Sequence, residues 1–143
     1  MKYRFHHVAL GGTFDLLHKG HIALLEKSFK ISQFVSIGIT TDIFCKQSAK
    51  DPYESQNQRR QNLIGFLQGE KYFKRSRIVW LNNIYGTTLA DKNIQSLVVS
   101  KETIHGAKQI NKARLTKKLK PLKIIICRQV LAQDGQKIST ARI

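Results

Sequence analysis

The sequence predicts a doubly wound α/β domain built on a parallel sheet, and three observations carry that expectation. Short apolar runs that suit buried strands alternate with longer stretches of helical periodicity. A glycine-bearing stretch from Gly11 to His21 joins the first apolar run to the first helical one. The 143 residues suffice for one domain that buries roughly two-thirds of its unfolded surface, so the core needs no covalent staple.

Each element follows from its local pattern. Val8, Ala9 and Leu10 make a first strand over about residues 6 to 11, and Ile22, Leu25 and Phe29 line one side of a helix over about 19 to 31. The run from Phe34 to Ile39 closes a βαβ unit, and a polar segment follows from Thr40 to Tyr53. Ser55 to Gln58 reads as a capping box that opens a second helix ending by Gly69, with Leu63, Phe66 and Leu67 on its buried side. Next come a strand from Arg77 to Leu81, a turn from Tyr85 to Thr88 and a short strand from Ser96 to Val99. A helix over about 107 to 119 is cut off by Pro121 from a last strand, Leu122 to Cys127. Neither repeats nor linkers divide the chain, so a single domain spanning residues 1 to 143 is expected.

Composition narrows the function classes. The chain lacks the run of about 18 apolar residues needed to cross a membrane, and its start lacks the apolar stretch of a signal peptide, so a cytoplasmic protein is expected. Cys45 and Cys127 fall on a loop and a buried strand and read as unrelated reduced thiols. The 25 Lys and Arg against 9 Asp and Glu give a net charge of +16, which attracts polyanions. ATP, a phosphorylated cosubstrate and nucleic acid all qualify. The basic residues lack the interleaved aromatics that stack bases, so a nucleic-acid partner is not favoured.

The chemistry concentrates at Gly11-Gly12-Thr13-Phe14-Asp15-Leu16-Leu17-His18-Lys19-Gly20-His21. Two glycines allow a tight turn and close backbone approach to a ligand, and the helix behind them points its unpaired N–H groups at the turn, which suits an anion. His18 and His21 are three apart and share a helix face if the helix begins near His18. Thr13 adds a hydroxyl, and Asp15 reads as a turn-stabilising carboxylate. Neither the Walker pattern nor GxGxxG occurs, so a P-loop and a standard dinucleotide fold are excluded. At the other end Asp134 to Lys137 make a turn, and Ser139, Thr140 and Arg142 stand at a helix start, a good arrangement for phosphate.

The GGTFDxxHxGH stretch resembles the signature of the nucleotidyltransferase superfamily with a T/HxGH motif, and Ile138 to Ile143 is similar to its ISSTRIR motif, with Ala141 replacing a threonine. The segment Val98-Val99-Ser100-Lys101-Glu102-Thr103, continued by Gly106-Ala107, Ile110-Asn111 and Arg114, resembles the archaeal and eukaryotic phosphopantetheine adenylyltransferases. The turn at Tyr85-Gly86 partly matches that group's DPYGPT, with Asn83, Ile84 and Thr87 in place of Asp, Pro and Pro. The resemblance implies a Rossmann-like, nucleotidylyltransferase-type sheet. It also implies transfer of AMP from ATP to 4′-phosphopantetheine, giving dephospho-coenzyme A and pyrophosphate, with Mg2+ accompanying the nucleotide.

What it implies for individual residues is equally specific. Thr13, His21 and Lys46 are the expected catalytic groups, with Lys50 the competitor for the lysine. Gly11, Gly12, His18, Ser139, Thr140 and Arg142 are expected to hold the nucleotide. Thr13, Asp15, Lys46, Tyr85, Ser100 and Lys101 are expected to hold the acceptor. Arg59 and Arg60 resemble a family arginine but read equally as surface charge. No metal ligands are assigned. The alternatives are another cytidylyl- or adenylyltransferase, a diverged binder of nucleotide or RNA, and a metal site at His18 and His21, for which the cysteines offer no ligand pattern.

Overall fold

A computed structural model describes residues 3–128. Five parallel strands form one sheet in the order β3-β2-β1-β4-β5, with β1 at Phe5–Gly12, β2 at Ser32–Thr40, β3 at Ser76–Leu81, β4 at Ser96–Val99 and β5 at Lys123–Ile126. The helices are α1 at Lys19–Ile31, α2 at Asp42–Gln47, α3 at Gln56–Gly69 and α4 at Ile104–Thr116. This is the doubly wound sheet that the alternating pattern predicts. The order turns back at β1, whose two neighbours are β2 and β4, so the carboxyl ends of β1 and β4 flank the crevice where such sheets take ligands.

The two faces carry separate cores. On one, Val8, Leu10, Val35, Ile37 and Ile39 of the sheet meet Leu25 and Phe29 of α1 and Leu63 and Leu67 of α3. Each fully buried aliphatic or aromatic side chain of this kind contributes about 1.5–3 kcal/mol, which fixes the register of β1 between its neighbours. On the other face Ala9, Leu97 and Val99 pack against Ala107 and Ile110 of α4, with Leu122. The expected apolar stripe of α1 shifts slightly, since its buried residues are Leu24, Leu25, Ser28 and Phe29 while Ile22 is half-buried.

Boundaries differ from expectation in instructive places. Ser32 caps α1 and also begins β2, so the strand starts two residues before Phe34 without a loop. The polar segment after β2 contains α2, whose N-cap Thr41 accepts from the Phe44 N–H at 3.1 Å and whose buried residue is Cys45. Cys45 therefore sits on a helix rather than a loop, and both cysteines are free thiols. Ser55 caps α3 by accepting from the Gln58 N–H, but the Gln58 side chain bonds Asn62 instead of completing the box. α4 begins at Ile104, three residues earlier than its periodicity suggests.

Candidate active site

The β1–α1 connection builds one wall of the cleft. Gly11 and Gly12 are the last residues of β1, and neither has a positive φ; the left-handed residues of the turn are Phe14 and Leu16, at φ 54° and 52°. The turn is thus made by residues that bear a Cβ, at a cost of order 1–3 kcal/mol each that the surroundings must offset. Gly11 instead provides room: a Cβ there would stand 2.9 Å from Leu81 Cδ1.

What offsets the strain is a polar clamp around Asp15. Its carboxylate is buried and accepts from the Tyr53 and Glu54 N–H groups at 2.8 and 3.0 Å. Glu54 in turn accepts from the Leu16 N–H at 2.8 Å and from Asn62 at 2.9 Å. Asp15 lines the cleft, but both its oxygens are committed to backbone, which matches the turn-stabilising role.

Arg59 is the residue that sequence reasoning underrated. It is fully buried, and its guanidinium donates to the carbonyls of Thr13 at 2.9 Å, Thr40 at 2.8 Å and Glu54 at 3.1 Å, and to the Asp42 carboxylate at 2.9 Å. One planar fork therefore ties the ends of β1 and β2 to α2 and to the loop before α3. Position offered a signal: Arg59 precedes Leu63 and Leu67 at helical spacing and lies on the same buried face. Arg60 is half-buried.

Thr13 is oriented through this network. The Thr40 hydroxyl donates to Thr13 Oγ1 at 3.2 Å and lies 3.4 Å from an Arg59 nitrogen. A hydroxyl carries one proton, so Thr13, having accepted from Thr40, keeps its own for a ligand. The Cys45 thiol, 3.1 Å from the Thr40 hydroxyl, is then the donor of that contact.

His18 and His21 cap α1 reciprocally. The Gly20 N–H donates to His18 Nδ1 at 3.1 Å, and the His18 N–H donates to His21 Nδ1 at 3.2 Å. With Nδ1 accepting on both rings, each neutral imidazole carries its proton on Nε2. Burial pushes His21 down to about 3, helped by neighbouring His18. His18 is lowered as well, chiefly by burial, with Glu102 and Asp15 pulling the other way. The pair thus presents hydrogen-bond donors without formal charge, beside a helix N-terminus whose first turn has no acidic residue.

These parts border a cleft of about 570 Å³ lined by Thr13, His18, His21, Lys50, Tyr53 and Ser100, among others. Glycines 11 and 12, Thr13 and Lys50 also line an adjoining cavity of about 340 Å³ whose walls include Phe44, Leu81, Ile84, Val98 and Ile110. The site therefore has two chambers, the one at the α1 N-terminus bearing the larger share of polar groups, that meet along Gly11, Gly12, Thr13 and Lys50.

Several expected residues lie elsewhere. Lys46 is exposed at the end of α2 and lines a more open pocket of about 650 Å³ that shares Lys50, Asp51, Pro52 and Tyr53 with the cleft, whereas Lys50 borders both chambers as well. Among the described residues Lys50 is the lysine that lines both chambers. Tyr85 packs against the Ala9 and Leu97 core and lines a small void under its own turn. Lys101 is exposed and borders neither chamber, although Ser100 and Thr103 do. Ser139, Thr140 and Arg142 lie outside the described residues. Among the described residues no group of three His, Cys, Asp or Glu could hold a metal ion, and no helix is long and apolar enough to cross a membrane.

Known proteins resemble the chain in sequence and in fold. The family model described as cytidylyltransferase-like matches residues 9–143. The phosphopantetheine adenylyltransferase of Pyrococcus furiosus is 40% identical over 100% of this chain and 89% of its own length, and that of Pyrococcus horikoshii is 42% identical over 98% and 89%. A crystal structure from Archaeoglobus fulgidus, of a protein with unknown function, superposes with a TM-score of 0.76 at 29% identity, covering 92% of this chain and 98% of that one. The chain belongs to the cytidylyltransferase-like family and, within it, to the phosphopantetheine adenylyltransferases.

Proposed function

We propose that this chain transfers AMP from ATP to 4′-phosphopantetheine in the cytoplasm, releasing dephospho-coenzyme A and pyrophosphate. The observation that carries the reading is the two-chambered cleft: the chamber at the α1 N-terminus, with His18, His21 and Lys50 in its lining, suits a triphosphate, and the adjoining one, walled by Phe44, Leu81, Val98 and Ile110, suits a pantetheine arm. An oxygen of the acceptor phosphate forms the new bond to the α-phosphorus in line, and the bond from that phosphorus to the bridging oxygen breaks, sending its electron pair out with pyrophosphate.

Transfers of this kind ask the protein for alignment and for hydrogen-bond donors or charge where oxygens gain negative charge. Thr13 donates to the acceptor phosphate, while Lys50 spans the junction of the chambers and approaches both reacting phosphates. His21 donates from Nε2 to an oxygen on the α-phosphorus, where negative charge builds up, and His18 donates to the triphosphate. Gly11 and Gly12 give the nucleotide close access to backbone, and Ser100 closes the opposite side. On sequence grounds Ser139, Thr140 and Arg142 add further triphosphate contacts. Mg2+, accompanying ATP, would neutralise charge on the departing pyrophosphate and would take its ligands largely from the nucleotide, since no group of three His, Cys, Asp or Glu among the described residues would hold it.

Pyrophosphate release is the test, with ATP or CTP as donor and 4′-phosphopantetheine, glycerol 3-phosphate or nicotinamide mononucleotide as acceptor. Release with ATP and 4′-phosphopantetheine alone is expected. Release with a different pair assigns another transfer, and ATP binding without release under any pair makes the chain a non-catalytic binder.

A further inference from the structure

The catalytic cleft uses few of the chain's 25 Lys and Arg, and the largest unassigned group of them lies on α4 and the turn after it. From Thr103 to Arg128 there is no Asp or Glu at all. Lys108, Lys112, Lys117, Lys118, Lys120 and Lys123 are all exposed, and among the described residues the ion pairs are Arg59–Asp42 and Arg77–Asp91, both elsewhere. Lys108 and Lys112 are one helical turn apart, an arrangement of like charges that costs an isolated helix a few tenths of a kcal/mol. No carboxylate within α4 or the turn after it offsets that repulsion; Asp91, from another part of the fold, faces the buried Arg114.

The surface is also built rather than loose. Arg114 is buried, and its guanidinium donates to the carbonyls of Thr88 and Lys120, binding the lysine turn back onto α4. Asn111 both donates to the Leu122 carbonyl at 2.8 Å and accepts from the Leu122 N–H at 2.7 Å. Lys118 takes a left-handed φ of 62°, which turns the chain sharply at the helix end. These bonds hold the backbone of the lysine turn in a fixed relation to the helix, which leaves the side chains alone to be ordered on binding.

We propose that the outer face of α4 and the lysine turn behind it dock the phosphate backbone of a nucleic-acid duplex. The chemistry selects this occupant. Lysines are point charges that suit phosphates, and they are depleted at protein–protein interfaces, which favour aromatic residues and Arg. No Phe, Tyr or Trp occurs after Tyr85, so the face has nothing on which unpaired bases could stack. Contact through phosphates alone reads no sequence. α4 walls the second chamber through Gly106, Ala107, Gln109 and Ile110, but Lys108, Lys112, Lys117 and Lys118 line neither chamber, so binding and nucleotidyl transfer are separable by substitution of the lysines.

Fluorescence anisotropy with a labelled 20-base-pair duplex tests this, with RNA and DNA arms and a single-stranded control. Two variants of equal net charge are compared: K108E/K112E/K117E/K118E on the proposed face, and K27E/K30E/K71E/K74E away from it. The parent is expected to bind duplex with a salt slope of about −4, as expected for some four phosphate contacts. The α4 variant should bind at least tenfold more weakly, and the control variant within threefold of the parent. The same lysines changed to Gln give the reading if the Glu variant fails to fold, and pyrophosphate release by the α4 variant should stay within twofold of the parent. Equal loss in both variants, absence of duplex binding at 50 mM salt, tighter binding of single strands, or equal competition by polyglutamate would each overturn the proposal. So would a loss of kcat/KM in the α4 variant with duplex binding unchanged, which makes the face a guide for small polyanionic substrates.

Discussion

The rings of His18 and His21 stack face to face, with centroids 3.7 Å apart and planes within 17° of parallel. Two imidazolium ions would repel strongly at that separation, so the stack excludes double protonation, and its Nδ1 atoms are both occupied by backbone N–H groups.

His21 should therefore remain neutral, with its proton on Nε2, from pH 8 down to pH 5. Long-range nitrogen–proton correlation of the imidazole reads this directly, and a shift midpoint between 6 and 7 would contradict it. The sign for stability follows. With a folded value of about 3 against an unfolded 6.5, the native state binds this proton more weakly. Its contribution is complete above pH 6.5 and is lost as the pH falls toward 3. Thermal unfolding should show a shallower decline over that window for His21→Asn than for the parent.

Arg59→Lys should retain the charge yet lose the fork that reaches the Thr13 and Thr40 carbonyls together. A fall in kcat of about tenfold to a hundredfold is expected with KM for ATP within threefold, because the loss is of alignment. Arg59→Ala should in addition cost about 2–3 kcal/mol of stability, through buried carbonyls left without a donor. Denaturant titration alongside steady-state kinetics separates the two effects.

Lys50→Ala should reduce turnover by about a hundredfold or more, the scale for removing one donor from a transition-state site, whereas Lys46→Ala should stay within threefold. The reverse ranking would return the catalytic role to Lys46 and require α2 to move.

Gly38→Ala tests packing near the cleft. A Cβ there would lie 2.7 Å from three atoms of Leu81, and one at Gly86 would lie 2.5 Å from the same side chain. Overfilling of this kind costs about 1–3 kcal/mol. Combining the change with Leu81→Ala should give less than the sum of the two single losses, as a double-mutant cycle in denaturant would show.

Much of this was legible in the residues, and the exceptions have physical causes. Strands and helices with a full apolar stripe, such as those carrying Val35 to Ile39 or Leu63 and Leu67, declare themselves through burial. α2 has six residues and one buried side chain, too short a stretch for periodicity to register. The His18–His21 pair was readable because three-residue spacing fixes proximity once a helix begins. The choice between Lys46 and Lys50 was not, because it depends on where α2 ends. Arg59 was underrated because a charged residue is rarely buried unless paired, and its partners are Asp42 and three backbone carbonyls that no side-chain pattern reveals. Gly11 and Gly12 were assigned the turn, but the surrounding hydrogen bonds impose it on Phe14 and Leu16 instead.

The central position of β1 has a consequence for how the molecule comes into being. β1 pairs with β4 through Val8 and Ser96 and through Ala9 and Leu97, and the His6 N–H reaches the Gln95 side chain at 2.6 Å. The two banks of the cleft are thus separated by more than eighty positions of chain and meet only after a large loop has closed, a slow step for parallel pairing. On the ribosome α1 and β2 emerge well before β4 is made, and β1 waits with one edge unpaired. Catalytic competence is accordingly a late event in folding, and a nucleotide that binds across the two banks acts as a latch on the completed topology.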